Sequence, residues 1–185
     1  LHGSSAASDV YKRQHYGHKD LRIVSQSSPT GTQFLQAVGC AMSRKWENDH
    51  EIVYVSSGEG STSEGEFHEA LNWASREKLP IIFHIQDNEY AISVHVSEQT
   101  SGSSVFSMVN GYDNLSRYEV DGTNFFETDL AFREAIERAR QGKGPSVIVS
   151  NVVRLLSHSS SDDQKKYRKK EDLSLIHISE PTRPS

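Results

Sequence analysis

A single cysteine, Cys40, stands in a chain of 185 residues. No internal disulfide can form, and a reducing compartment is the natural setting. Long apolar runs are missing as well. No stretch approaches the roughly 20 residues that span a bilayer, and the amino terminus lacks the apolar core of a signal peptide. Positive charge is scarce, with 20 Lys+Arg against 25 Asp+Glu and a net charge of −5. The basic residues are scattered, so neither nucleic acid nor membrane is an expected partner. Repeats of 20–50 residues are absent. Hydrophobic residues make up only 35%, with the polar excess largely at the two ends. What remains is one domain, long enough to bury a real core.

The ends set themselves apart. Residues 1–14 and 173–185 show no sustained helical or strand period and resemble translated linker sequence. The domain is therefore expected over 15–172, as a fragment of a larger protein. Within it, Ser28-Pro29-Thr30 opens a helix whose apolar face is Phe34, Leu35, Val38, Ala41, Met42 and Trp46. Gly39 and Cys40 would let that helix approach a neighbour closely, with Cys40 an inert packing residue. A strand over 51–56 follows.

Ser63 with Glu66 three residues on reads as a capping box, opening a helix with Phe67, Ala70, Leu71 and Ala74 on its buried stripe. A strand over 80–86 leads to a polar loop running to about 104. A short helix near 104–110, a strand over 117–120 and a turn at Asp121-Gly122 come next. A long helix spans 125–141, with Phe126, Leu130, Ala131, Ala135, Ile136 and Ala139 on one face. Gly142 to Pro145 stops it, and a strand over 146–153 completes the series. Strands alternating with helices imply an α/β fold, a parallel sheet with helices on both faces and right-handed crossovers.

In such sheets ligands sit beyond the carboxyl ends of the strands. Gly58-Glu59-Gly60 ends one apolar strand, and Asn88 ends the next, thirty positions after Gly58. The two neighbouring strands would deliver a carboxylate and an amide oxygen to one crevice. Hard oxygen ligands with room for phosphate oxygens suit Mg²⁺. A bare Gly-x-Gly is a weak signal. Here Ser61-Thr62-Ser63 adds hydroxyls, and the next helix points its amino end at the loop. The charge of a diphosphate exceeds what a helix dipole can offset, so a divalent cation held by Glu59 and Asn88 is the expected arrangement. The bland reading makes Glu59 a solvated carboxylate and Asn88 a turn former.

The run GEGSTSEGEFHEALNWASREKLPIIFHIQDNEYAIS (58–93) resembles the thiamine-diphosphate motif of the alpha portion of 2-oxoacid dehydrogenases, the decarboxylating component. The resemblance extends to SSPTGTQFLQAVGCA (27–41), VDGTNFFETDLAFREAIERARQGKGPSVI (120–148) and RLLSHSSSDDQKKYR (154–168). It implies a thiamine-diphosphate-binding fold that oxidatively decarboxylates a 2-oxoacid and passes the acyl group to lipoamide. Implied Mg²⁺ ligands are the side chains of Glu59 and Asn88 and the Tyr90 carbonyl. Gly58, Gly60 and Ser61 would lie along the diphosphate, with Ser28 and Thr30 near the aminopyrimidine. Ser27, Pro29, Thr32 and Gln33 match positions that hold potassium in some members. His158 would stand over the cofactor as a catalytic residue.

The implied partners are a beta portion and a lipoyl-bearing acyltransferase. The expected compartment is the bacterial cytoplasm ahead of the mitochondrial matrix. Ser159 aligns with a phosphorylation position of mitochondrial relatives.

Departures from the family pattern are Asp87-Asn88 for the usual Asn-Asn, and Gln86 where a basic residue often stands. Glu59 in place of the commoner Asp resembles the branched-chain group. Two rivals are a non-catalytic subunit that keeps the fold and a transketolase-type enzyme using the same cofactor. Of the remaining features, a serine-rich loop closed by an Arg154–Asp pair is expected over 154–163. Lys165 to Lys170 reads as a solvated basic face. His15 and His18 are too sparse for zinc. Trp46 and Trp73 read as packing residues.

Overall fold

A computed structural model describes residues 17–25, 27–47 and 50–169. The first helix, α1, spans Thr32–Trp46. Strand β1 (Val53–Gly58), a 3₁₀ turn (Glu59–Ser63), helix α2 (Gly65–Glu77) and strand β2 (Ile81–Asp87) follow. Beyond them come a two-residue hairpin of β3 (Tyr90–Ala91) and β4 (Val94–His95), and short helices α3 (Val96–Gln99) and α4 (Val105–Met108). Strand β5 (Ser116–Asp121), helix α5 (Phe125–Arg140) and strand β6 (Ser146–Asn151) complete the frame.

The main sheet has four strands in the order β1-β2-β6-β5, and each neighbouring pair is parallel. The expected α/β architecture is therefore present. Along β2, side chains alternate between faces. Ile81, Phe83 and Ile85 join the buried cluster made with α1 and α2. On the other side Ile82 joins Ile148, Val120, Ala131 and Ala135 beneath α5. In the first cluster Phe34, Phe67 and Phe83 pack ring against ring, with centroids 4.9–6.3 Å apart. Burying such rings is the largest apolar contribution a small domain can make.

Several element ends differ from expectation for local reasons. Ser28–Thr30 form a turn, and α1 begins only after Gly31, whose φ of 90° suits glycine. Strand β1 starts at Val53, whose N–H donates to the Pro80 carbonyl, and reaches Gly58, level with Gln86. The capping box at Ser63 does not form. The N-cap of α2 is Glu64, without a side-chain cap, and Ser63 Oγ instead takes a hydrogen bond from Gln99. The expected polar loop after Asn88 holds the β3–β4 hairpin and α3.

Four expected core positions are surface. On α1, Leu35 is exposed and Trp46 is 75% exposed. On α5, Phe126 is 82% exposed and Leu130 is exposed with it, because small Ala131, Ala135 and Ala139 make the actual contact stripe of that helix. Gly39 faces open space rather than a close neighbour. Trp73 does pack against the core. Cys40 is half-buried.

Candidate functional site

Parallel pairing of β1 with β2 brings Gly58 level with Gln86, so the residues just past both strands meet. The Glu59 side chain is 1% exposed. Its Oε2 accepts hydrogen bonds from the Asn88 backbone N–H at 3.2 Å and from Asn88 Nδ2 at 3.1 Å. That leaves Glu59 Oε1 and Asn88 Oδ1, both buried and both without a hydrogen-bond partner among the described residues. With Glu59 ionised, each can only accept. Two buried acceptors with nothing to accept from are costly, and a cation is the group that would satisfy both at once.

Electrostatics agree. Burial pushes the Glu59 carboxyl above its ordinary range, with the Asp87 charge adding to the rise. The Asn88 N–H bond and the Arg154 charge act in the opposite sense. Burial likewise raises Asp87, against the Glu89 N–H that its Oδ1 accepts at 2.8 Å. That bond closes a turn in which Glu89 has φ of 68°. The turn presents Asn88 on one side and Tyr90 on the other. Among the described residues no cluster of three His, Cys, Asp or Glu could hold a metal. A site here is one carboxylate, one amide and backbone, with coordination left for ligand oxygens.

Around this pair the remaining expected residues divide. Gly60 and Ser61 lie on the same turn as Glu59, and Gly58, the last residue of β1, immediately precedes it. Ser28 and Thr30 are exposed at the start of α1. Thr32 Oγ1 donates to the Pro29 carbonyl at 3.0 Å and is hydrogen-bonded to Ser27 Oγ. Gln33 Nε2 donates to Ser57 Oγ at 3.3 Å, tying α1 to the tip of β1. A groove of about 1300 Å³ runs along the open edge of β1. It includes Gln33 but neither Glu59 nor Asn88, so unsatisfied chemistry rather than volume singles out the site. Gln86 is exposed.

The 154–168 segment is ordered differently from the expected direct ion pair. Arg154 donates to the Ile92 carbonyl (2.8 Å) and to the Tyr167 hydroxyl (2.6 Å). Tyr167 in turn donates to Asp162 Oδ2 at 2.6 Å, so a phenol mediates between arginine and aspartate. Asp162 also accepts the His158 N–H at 2.8 Å, and its carboxyl is held low by the Tyr167 hydrogen bond. The His158 ring is exposed. Ser159 Oγ lies 3.1 Å from Ser161 Oγ.

Lys165, Lys166 and Lys169 are solvated, but Arg168 is not. It lies over the Tyr90 ring at 5.6 Å and donates to the Arg154 carbonyl. His18 is exposed, with Nδ1 accepting from the Leu21 N–H. His15, Lys170, the expected leader and the expected tail lie outside the described residues.

Sequence reasoning missed Gln99, Tyr167 and Arg168. Only tertiary contacts reveal them: Gln99 bonds the turn 39 positions upstream, and nothing local marks it.

A family model described as dehydrogenase E1 component matches residues 2–182. The chain is 40% identical over 167 residues to the 2-oxoisovalerate dehydrogenase subunit alpha of Bacillus subtilis, covering 90% of this chain and 50% of that protein. Identity is 39% over 147 residues with the 3-methyl-2-oxobutanoate dehydrogenase subunit alpha of Mycobacterium tuberculosis, with 80% and 40% covered. Against the mitochondrial 2-oxoisovalerate dehydrogenase subunit alpha of Homo sapiens it is 40% over 154 residues, with 83% and 34% covered. The chain thus spans half or less of the length of these relatives.

Proposed function

The chain belongs to the dehydrogenase E1 component family, and on that premise we propose that it carries the metal–diphosphate half of a thiamine-diphosphate site. The activity would be oxidative decarboxylation of a branched-chain 2-oxoacid with transfer of the acyl group to lipoamide. The single observation that carries this reading is the pair of buried, unpartnered acceptors, Glu59 Oε1 and Asn88 Oδ1, on side chains already hydrogen-bonded to each other. Their donor set fits Mg²⁺.

When bound, thiamine diphosphate supplies the carbanion-stabilising centre that lets a 2-oxoacid lose carbon dioxide. Everything else is grip and orientation by this chain. Glu59, Asn88 and the Tyr90 carbonyl would hold Mg²⁺, offsetting the burial that now raises the Glu59 carboxyl. Gly58 from the tip of β1, and Gly60 and Ser61 from the 3₁₀ turn, would line the diphosphate. Ser28 and Thr30 would face the aminopyrimidine from the foot of α1. Ser27, Pro29, Thr32 and Gln33 would seat a potassium ion. There the Pro29 carbonyl and the Ser27 hydroxyl already converge on the Thr32 hydroxyl. His158, anchored by its N–H on Asp162, would stand over the cofactor and hold a proton at its ring.

The residues that complete the site would come from a beta portion, and a lipoyl-bearing acyltransferase would receive the acyl group. The proposed compartment is the bacterial cytoplasm, ahead of the mitochondrial matrix; the relatives carry both bacterial and mitochondrial names. Among the described residues no helix is long and apolar enough to cross a membrane.

The test is thermal unfolding of the chain assembled with its complementary subunit, with and without Mg²⁺ and thiamine diphosphate. At about 100 times Kd the pair should stabilise by about 2.7 kcal/mol. Glu59→Ala should abolish that stabilisation. Equal stabilisation of wild type and Glu59→Ala would defeat the proposal.

A further inference from the structure

One short element touches both halves of the candidate site. At the start of α3 the Val96 N–H donates to the Glu89 carbonyl at 2.8 Å, one residue beyond Asn88. At its end Gln99 Nε2 donates to the Gly60 carbonyl at 2.8 Å and meets Ser63 Oγ at 2.6 Å. A carbonyl can only accept, so the amide nitrogen must face Gly60. Gln99 Oε1 is then left buried and without a partner among the described residues.

The turn is also pressed from β3. A Cβ on Gly60 would stand 2.8 Å from Ala91 Cβ and 3.3 Å from Ala91 Cα, closer than side chains tolerate. Gly60 is thus fixed by contact at Cα and by a hydrogen bond at its carbonyl. In a trans peptide the C=O and the following N–H point in opposite directions. Holding the Gly60 carbonyl on Gln99 therefore also sets where the Ser61 N–H points.

We propose that Gln99 is a positioning residue of the metal–diphosphate site. Its side-chain amide holds the Glu59–Ser63 turn at the spacing from the Asn88 turn at which both orphan oxygens can share one cation. The inference rests on the metal-site reading given above. α3 acts as a strut: its first N–H is tied to the Asn88–Tyr90 turn and its last side chain to the Glu59 turn. Gln99 would touch neither metal nor substrate. Its effect would appear in cation affinity and leave the stability of the metal-free fold nearly unchanged, because Gln99 is half-buried and outside the apolar core.

The probe is Mn²⁺, titrated in the presence of thiamine diphosphate and counted by electron paramagnetic resonance, on the chain assembled with its complementary subunit. Gln99→Met keeps the length and loses the donor. It should raise the Mn²⁺ Kd about tenfold, equivalent to about 1.4 kcal/mol, with the metal-free melting temperature within a degree or two of wild type. Gln99→Asn keeps an amide on a shorter arm and should fall between them; it carries the test should Gln99→Met fail to fold. Glu98→Gln, on the exposed neighbour, should change nothing.

An unchanged Kd in both Gln99 variants overturns the assignment. So does a rise matched by an equal loss of metal-free stability. Glu59→Ala separates the two levels: if it binds Mn²⁺ like wild type, the metal-site reading itself fails. If it loses binding while Gln99→Met keeps it, only the role of Gln99 falls.

Discussion

The two faces of the sheet are built on different physics. Toward α1 and α2 the contact is apolar, centred on Phe34, Phe67 and Phe83. Beneath α5 the apolar cluster is smaller, and a polar line crosses three strands beside it. The Tyr54 hydroxyl lies 2.8 Å from His84 Nδ1, and His84 Nε2 lies 2.9 Å from Ser150 Oγ. One face thus fixes the strands by shape, which is indifferent to pH. The other fixes the register of β1, β2 and β6 through a histidine, which is not. Since β1 and β2 carry Glu59 and Asn88 at their tips, both faces bear on the site in different ways.

The largest effect should come from the apolar face. Phe83→Ala should cost about 3–5 kcal/mol, read from the shift of a urea unfolding midpoint. A cost under about 1 kcal/mol would erase the contrast between the faces. The polar face should respond to acid instead. Burial holds His84 below its ordinary 6.5, so the unfolded chain takes up the proton more readily than the folded one. The contribution of His84 is whole above about pH 6.5 and is lost as pH falls below it, levelling off under the folded value. Unfolding midpoints at about pH 7.5 and 5.5 should differ less in His84→Gln than in wild type. Tyr54→Phe, which deletes one end of the polar line, should cost about 1 kcal/mol at neutral pH.

At the strand tips the sign reverses. Burial raises the Glu59 carboxyl, so in the metal-free chain its stabilising share is whole below the unfolded value and is lost as pH rises from there through the folded value. Glu59→Gln can still accept both Asn88 hydrogen bonds while removing the charge. It should raise metal-free stability at pH 7 by about 1 kcal/mol, while weakening Mg²⁺ uptake. A destabilised Glu59→Gln would mean that the carboxylate is satisfied without metal. Smallest of all, Phe126→Ser on the exposed start of α5 should shift stability by about 0.5 kcal/mol or less.

Much of this was legible beforehand, for identifiable reasons. Apolar runs such as Ile81-Ile82-Phe83 and the stripe Phe67, Ala70, Leu71 and Ala74 carry their periods locally, so the parallel α/β order was readable. The spacing of Glu59 and Asn88 was readable too, because one crossover joins adjacent strands. Leu35, Trp46, Phe126 and Leu130 lie at the surface: periodicity reports which residues could be buried, and neighbours decide which are. The Ser63 capping box failed because Gln99, far along the chain, claims that hydroxyl. The direct Arg154–Asp pair failed because Tyr167 stands between Arg154 and Asp162. Contacts of that kind leave no trace in a window of sequence.

The most direct measurement is a crystal structure of the assembled protein grown with Mn²⁺ and thiamine diphosphate, read by anomalous scattering. One manganese peak is expected within about 2.5 Å of both Glu59 Oε1 and Asn88 Oδ1. A cofactor bound with its metal seated elsewhere, or those two oxygens still hydrogen-bonded only within the protein, would contradict it.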